Sequence, residues 1–146
     1  MCGTNRDEAV AIFERVIKEL DAVEESNPEA AVTTLMATGF SKFAMGSVAD
    51  AIIDIERASD IFEGAEIRNS SLQIEIWFGL ARAYVEENRL EEAESLLTKA
   101  LDLGESEFGR EHSRLTGVLN ALAALERSRG NHDRAIELSE RVISIM

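Results

Sequence analysis

The chain has one cysteine, one proline and nine glycines in 146 residues, and no apolar run near the roughly 18 residues that span a bilayer. With Cys2 alone, no intrachain disulfide can form and no cysteine cluster can bind a metal. Glycine and proline together fall well under an average share, which argues for helices over strands. Positive charge is also scarce. Fifteen Lys and Arg face 28 Asp and Glu, a net charge of −13, and a field of that sign repels phosphate backbones and anionic lipid. Nucleic acid and membrane are therefore excluded as expected partners. The opening Met1-Cys2-Gly3-Thr4 has no apolar signal core, so the chain reads as soluble and cytoplasmic. Apolar residues make up 45%, enough at this length for one compact core that buries roughly two-thirds of the unfolded surface.

A repeat is present. Ala9, Ala51, Ala93 and Ala135 stand 42 residues apart, each leading into an apolar helical stripe. Five residues before the last three stand Gly46, Asn88 and Gly130, residue types that tolerate the left-handed backbone of a helix stop. Twelve before stand the small Gly39, Ala81 and Ala123, as two closely approaching antiparallel helices require. Sixteen before stand the large apolar Leu35, Trp77 and Leu119. The unit is a helical hairpin. The pattern predicts seven helices, near 5–25, 28–45, 47–65, 70–87, 89–107, 112–129 and 131–145. Asn27-Pro28 reads as an N-cap followed by a first-turn proline, and Ser47-x-x-Asp50 as a capping box with a shorter acid. Nothing in the composition marks a linker between separate domains.

These residues resemble the tetratricopeptide repeat, and the 42-residue period is similar to the variety in kinesin light chains and many bacterial regulators. Trp77, Leu80, Ala81, Tyr84, Ala93, Leu97 and Ala100 occupy the family's signature spacing. Leu119 to Ala123, Gly130-Asn131 and Ala135 to Leu138 repeat it, and Gly109-x-x-His112 looks like the turn that precedes repeats of the kinesin-light-chain type. The resemblance implies an all-α fold, a right-handed superhelical solenoid of antiparallel helix pairs. Residues 1–146 form a single domain in this register: a lone second-type helix over 1–26, then hairpins over 27–66, 67–108 and 109–146.

Thr38 at the usual leucine slot and Lys42 at the usual tyrosine slot depart from the pattern and put the packing or register of the first hairpin in question. In the last hairpin Glu126 replaces that tyrosine and Ser139 an apolar residue, which should weaken its inner seam. The end helices carry apolar residues with no evident cover: Val10, Phe13 and Ile17 at the start, Ile136, Val142, Ile143 and Met146 at the end. Either the chain is a piece of a larger array or it self-associates through an end, as a filament or a two-fold dimer.

Little points to catalysis. His112 and His132 lie twenty residues apart, not at helical ligand spacing, so no metal site is expected. Cys2 has no evident base, and Glu24-Glu25, Glu86-Glu87 and Glu91-Glu92 read as solvated helix acids. No glycine-rich phosphate loop or nucleophile elbow appears, so neither enzyme activity nor a cofactor is expected. The resemblance does imply a concave wall lined by the first helix of each pair. On this register it carries Met36, Phe40 and Phe43, then Phe78, Arg82 and Val85, then Asn120, Ala124 and Arg127. An apolar strip with two guanidinium groups suits a peptide bearing apolar anchors and carboxylates, although the three phenylalanines would also serve as core. The lysine and asparagine clamp with which some relatives hold the acidic tails of heat-shock chaperones is absent. The expected function is capture of a partner's peptide segment. The alternatives are a self-assembling module and the sensory segment of a bacterial regulator.

Overall fold

The computed structural model describes residues 2–145, with side chains placed except at 2–6, 13, 17, 20–22 and 25. Its helices are α1 (Cys2–Ser26), α2 (Pro28–Ala44), α3 (Val48–Gly64), α4 (Ser70–Glu86), α5 (Leu90–Phe108), α6 (Leu115–Ser128) and α7 (His132–Ile145). The seven expected elements are present. None of the described helices is long and apolar enough to cross a membrane. The chain divides into two compact units, Met1–Ile67 and Arg68–Met146, and the division falls at a hairpin boundary. In the first, α2 and α3 form a hairpin and α1 packs on α2. In the second, α4 pairs with α5 and α6 with α7, while α5 and α6 join the hairpins and α4 touches α6.

The hairpins close by one repeated device. Gly46, Asn88 and Gly130 have φ of 84°, 60° and 83°. The N–H of the following residue, Ser47, Arg89 or Asn131, donates five residues back to the carbonyl of Lys42, Tyr84 or Glu126 at 2.9, 2.8 and 2.8 Å. The left-handed residue itself donates three back, to Phe43, Val85 or Arg127. These paired bonds satisfy carbonyls that a helix end leaves open, and only glycine or a short polar side chain enters the conformation cheaply. Glu66, at φ 53°, ends α3 in the same way.

Small residues then let the helices meet. A Cβ built on Gly39 would lie 2.7 Å from Ile55 Cγ1 on α3, so only glycine fits there without displacing that side chain. Ala81 and Ala123 are buried at the equivalent positions, as are Ala51, Ala93 and Ala135, while Ala9 is half-buried. Leu35 and Leu119 are fully enclosed. Trp77 is half-buried and Ile76 takes the enclosed position beside it, because an indole is too large and too polar at its edge to vanish into this seam.

Asn27 Oδ1 accepts the Ala30 N–H at 3.2 Å with Pro28 in the first turn, and Asn69 Oδ1 accepts from Leu72 at 3.1 Å. Ser47 stands at the N-cap of α3 without a side-chain cap bond. Helix α6 begins at Leu115, three residues later than the pattern predicts. Gly109 is left-handed at φ 87°, and His112 turns its ring back so that Nδ1 accepts the Arg114 N–H at 3.2 Å.

The register position four residues before each left-handed turn residue carries three chemistries. In the second hairpin Arg89 lies 4.0 Å over the Tyr84 ring and donates to Glu92 at 2.6 and 2.9 Å. Those hydrogen bonds, aided by the guanidinium charge, hold the Glu92 carboxyl below its ordinary range. In the third, Glu126 is buried and accepts from Asn131 Nδ2 at 2.7 Å, so the seam there is polar but satisfied. In the first, Lys42 pairs with Asp54 at 2.9 Å, and the Thr38 hydroxyl lies 3.2 Å from the same carboxylate oxygen. The residues 42 positions after Thr38, Lys42 and Asp54 are Leu80, Tyr84 and Leu96, so the first hairpin is polar at three positions where the second is apolar or aromatic. No buried side-chain nitrogen or oxygen among the described residues lacks a partner.

Buried ion pairs are costly to break and seldom better than an apolar replacement of equal shape. Asp54→Leu alone, which removes the carboxylate 2.9 Å from the Lys42 ammonium, is expected to cost about 3–5 kcal/mol in urea unfolding. The triple change Thr38→Leu, Lys42→Tyr, Asp54→Leu, copying the second hairpin, should restore wild-type stability or exceed it. Arg89→Ala should return the Glu92 carboxyl to the ordinary range in an NMR pH titration. The Arg89 to Glu92 contribution is present above the unfolded carboxyl's pKa and lost as pH falls through the lowered folded one.

Candidate functional site

Each hairpin's first helix buries one face and leaves another for contacts. On α2 the buried face is wide, because α1 packs on it as well as α3. Met36 is only 3% exposed and belongs to the core, a correction to its expected place on an open wall. Phe40 and Phe43 are half-buried.

In the second unit α4 and α6 present a shared face. Phe78 and Val85 are half-buried, whereas Arg82, Asn120, Ala124 and Arg127 are exposed. The Arg82 guanidinium lies 5.7 Å from the Phe78 ring centre, a cation over a π face. The same ring reaches the neighbouring helix: a Cβ on Gly117 would stand 3.7 Å from Phe78 Cζ. Gly117 was not evident from the repeat alone. Only the α4 to α6 packing shows it as a bare floor beside Phe78.

The charge of this face is unusual for the chain. Residues 1–67 hold 5 Lys and Arg against 14 Asp and Glu, a net −9, and residues 68–146 hold 10 against 14, a net −4. Helix α6 exposes no acid; its one carboxylate, Glu126, is buried and bonded to Asn131. Arg127, in the last turn of α6, makes no ion pair among the described residues. Glu75 and Glu86 on α4 are the exposed acids nearest in sequence to Phe78 and Val85.

A second cluster lies where α5 passes to α6. Phe108 and His112 stack at 5.1 Å, Arg114 lies 5.4 Å over the Phe108 ring, and Arg114 donates to Ser71 Oγ at 2.6 Å. These contacts organise the loop and surround a depression of 140 Å³ that also touches Ile74 and Glu75. Arg141 of α7 bonds the Arg110 carbonyl and pairs with Glu105, pinning the same loop from the other side. His112 thus has a conformational task. His132 is exposed in the first turn of α7, and no three described metal-ligating side chains converge.

At the chain's ends, Ile136 and Ile143 are 55% and 71% exposed and line a 280 Å³ groove with Arg127, His132 and Glu140. Val142 is buried at 7%, a correction to its expected exposure, because it turns toward the α6 side of its helix with Leu138 and Ala135. Val10 is exposed; the side chains of Phe13 and Ile17, and all of Met146, lie outside the described residues. Two exposed isoleucines escaped the repeat pattern, Ile12 on α1 and Ile53 on α3, at 53% and 63%.

A family model described as tetratricopeptide repeat matches residues 29–106 and again 73–146. Among solved structures, BtubC (BKLC) from P. vanneervenii is similar with a TM-score of 0.79 at 17% identity, over 95% of this chain and 56% of that one. The nearly identical TPR-like repeats of a Podosopora anserina protein described as a kinesin light chain give 0.76 at 24%, over 95% and 66%. MamA gives 0.64 at 22%, over 96% and 72%. At these identities the likeness shows the fold, and the chain spans 56% and 66% of the first two proteins. No curated protein sequence matches.

Two of the three described glycines that meet side chains across helices, Gly39 and Gly117, should respond oppositely to alanine. Gly117→Ala adds only an ordinary contact with Phe78 and should stabilise by about 0.5–1 kcal/mol, whereas Gly39→Ala must displace Ile55 and should destabilise. Paired denaturant titrations check both signs.

Proposed function

The chain belongs to the tetratricopeptide repeat family, and from that premise we propose that it is a protein-interaction module whose α4 to α6 face holds a peptide segment of a partner. Repeats of this family generally mediate contacts between proteins. The observation that carries the finer reading is the acid-free surface of α6 in a chain of net charge −13, with Gly117 and Ala124 along it and, in its last turn, Arg127, which makes no ion pair among the described residues. A peptide with an apolar anchor would rest against Phe78, Gly117 and Ala124. Its carboxylates would meet Arg82 and Arg127, which can grip them bidentately. Burial of the anchor would supply most of the affinity, and the guanidinium groups would set orientation and charge preference. In this reading the chain has no catalytic role, takes no cofactor, and works in the cytoplasm without nucleic acid or membrane.

The exposed Ile136 and Ile143 favour a second reading, in which α7 meets another protein chain or a second copy. Light scattering of the wild type and Ile143→Glu across a concentration series checks it: mass that rises with concentration and falls with the variant supports an α7 contact.

Peptide-display selection against the source proteome, with Arg82→Glu, Arg127→Glu as parallel bait, tests the first reading. Peptides rich in Asp or Glu around an apolar residue should be enriched, with affinity at least tenfold weaker for the double variant and an unchanged circular dichroism spectrum. Equal affinity in the folded variant would remove Arg82 and Arg127 from the site.

A further inference from the structure

Helix α3 exposes a stripe that answers the chemistry of the α4 to α6 face. Asp50, Ile53, Glu56, Asp60 and Glu63 recur at three- and four-residue steps, and all are exposed. They lie opposite the buried Ile52, Ile55 and Phe62. Ile53 is 63% exposed in the middle of these acids, an unusual place for a large apolar side chain. Asp50, Asp60 and Glu63 make no ion pair among the described residues, and Arg57, the one cation of α3, is half-buried and faces Glu24 at 3.6 Å. Like charges at such spacing repel, so a cation brought against them relieves a cost the lone chain carries.

We propose that the α4 to α6 face takes the α3 stripe of a second copy of this chain. The inference rests on the peptide-binding reading of that face and names its occupant. At 1.5 Å per residue, Asp50 and Glu56 stand about 9 Å apart along α3 with Ile53 between them. Arg82 and Ala124 are 42 residues apart and so share a register position, with Arg127 three residues beyond on the adjacent helix. For helices packed about 8–10 Å apart, the two arginine positions are about 10 Å from one another. Ile53 of one copy then sits over Val85 and Ala124 of the other, between the two arginines, and the carboxylates reach the guanidinium groups on either side. Whole molecules of net charge −13 repel one another, so the contact depends on this local match. Glu75 and Glu86 flank the face and oppose any wider docking of the acidic unit. The two patches differ, so the contact is head-to-tail: it extends into a chain of copies or closes into a ring.

Sedimentation velocity on the full chain up to millimolar concentration tests this. The wild type should form species larger than a dimer. Ile53→Lys, which blocks the stripe, and Arg82→Glu, Arg127→Glu, which blocks the face, should each weaken association at least tenfold. Mixed together, the two variants keep one good patch each and should form a dimer that grows no further. A monomeric wild type would overturn the proposal, as would a mixture no larger than its components. So would assemblies that survive both variants but are lost in Ile143→Glu, which would assign the contact to α7. A monomeric wild type that still selects peptides through Arg82 and Arg127 would sink this inference and leave the peptide-binding reading standing. Loss of both would sink the reading with it.

Discussion

Everything else in this fold depends on how closely two helices of a hairpin approach. Gly39 touches Ile55 so tightly that even a methyl group would have to displace it, and the alanines at the equivalent and facing positions are buried. That approach lets Leu35, Leu97 and Leu119 fill the seam, and it requires the chain to reverse within a few residues. The left-handed turn at Gly46, Asn88 and Gly130 satisfies the requirement, using backbone bonds that a helix end would otherwise leave to water. Close approach and turn are one constraint seen at two points, which is why they recur together at a fixed spacing.

Within that frame the hairpins solve the inner seam differently. The second uses an aromatic ring with an arginine on its face, the third a buried glutamate held by an asparagine, and the first an ion pair with a threonine beside it. The polar solutions are no stronger than packed leucine, but each demands its own partner. A seam of Thr38, Lys42 and Asp54 does not fit the apolar positions of the next hairpin, so these contacts can help keep neighbouring hairpins from exchanging partners. Identical repeats with identical seams would lack that discrimination.

Surface charge follows another logic. Acids crowd the first unit, whereas α6 hides its single carboxylate and carries in its last turn Arg127, which has no ion pair among the described residues. Such a patch distinguishes partners by sign before any apolar contact forms. The bare backbone at Gly117 lets Phe78 span the two helices and leaves room above them. Loop residues Phe108, His112 and Arg114 set where α6 begins, and thereby the register in which Gly117, Asn120 and Ala124 face outward.

The helices, hairpins and turns were legible in the amino-acid order because they rest on local and periodic constraints. Small residues, helix stops and apolar stripes must recur wherever the same two helices pack, so a spacing of 42 carries them. Arg82, Asn120, Ala124 and Arg127 could be placed on an outward face for the same reason. The burial of Met36 could not, because it depends on what packs against α2, which meets α1 as well as α3. Nor could the rescue of Thr38 and Lys42, whose partner Asp54 lies on the opposite helix. Gly117 under Phe78 likewise required α4 and α6, which are not consecutive, to be brought together. A period states which positions face a neighbour; which side chain waits there, and whether it completes a charge or closes a gap, is settled only by packing.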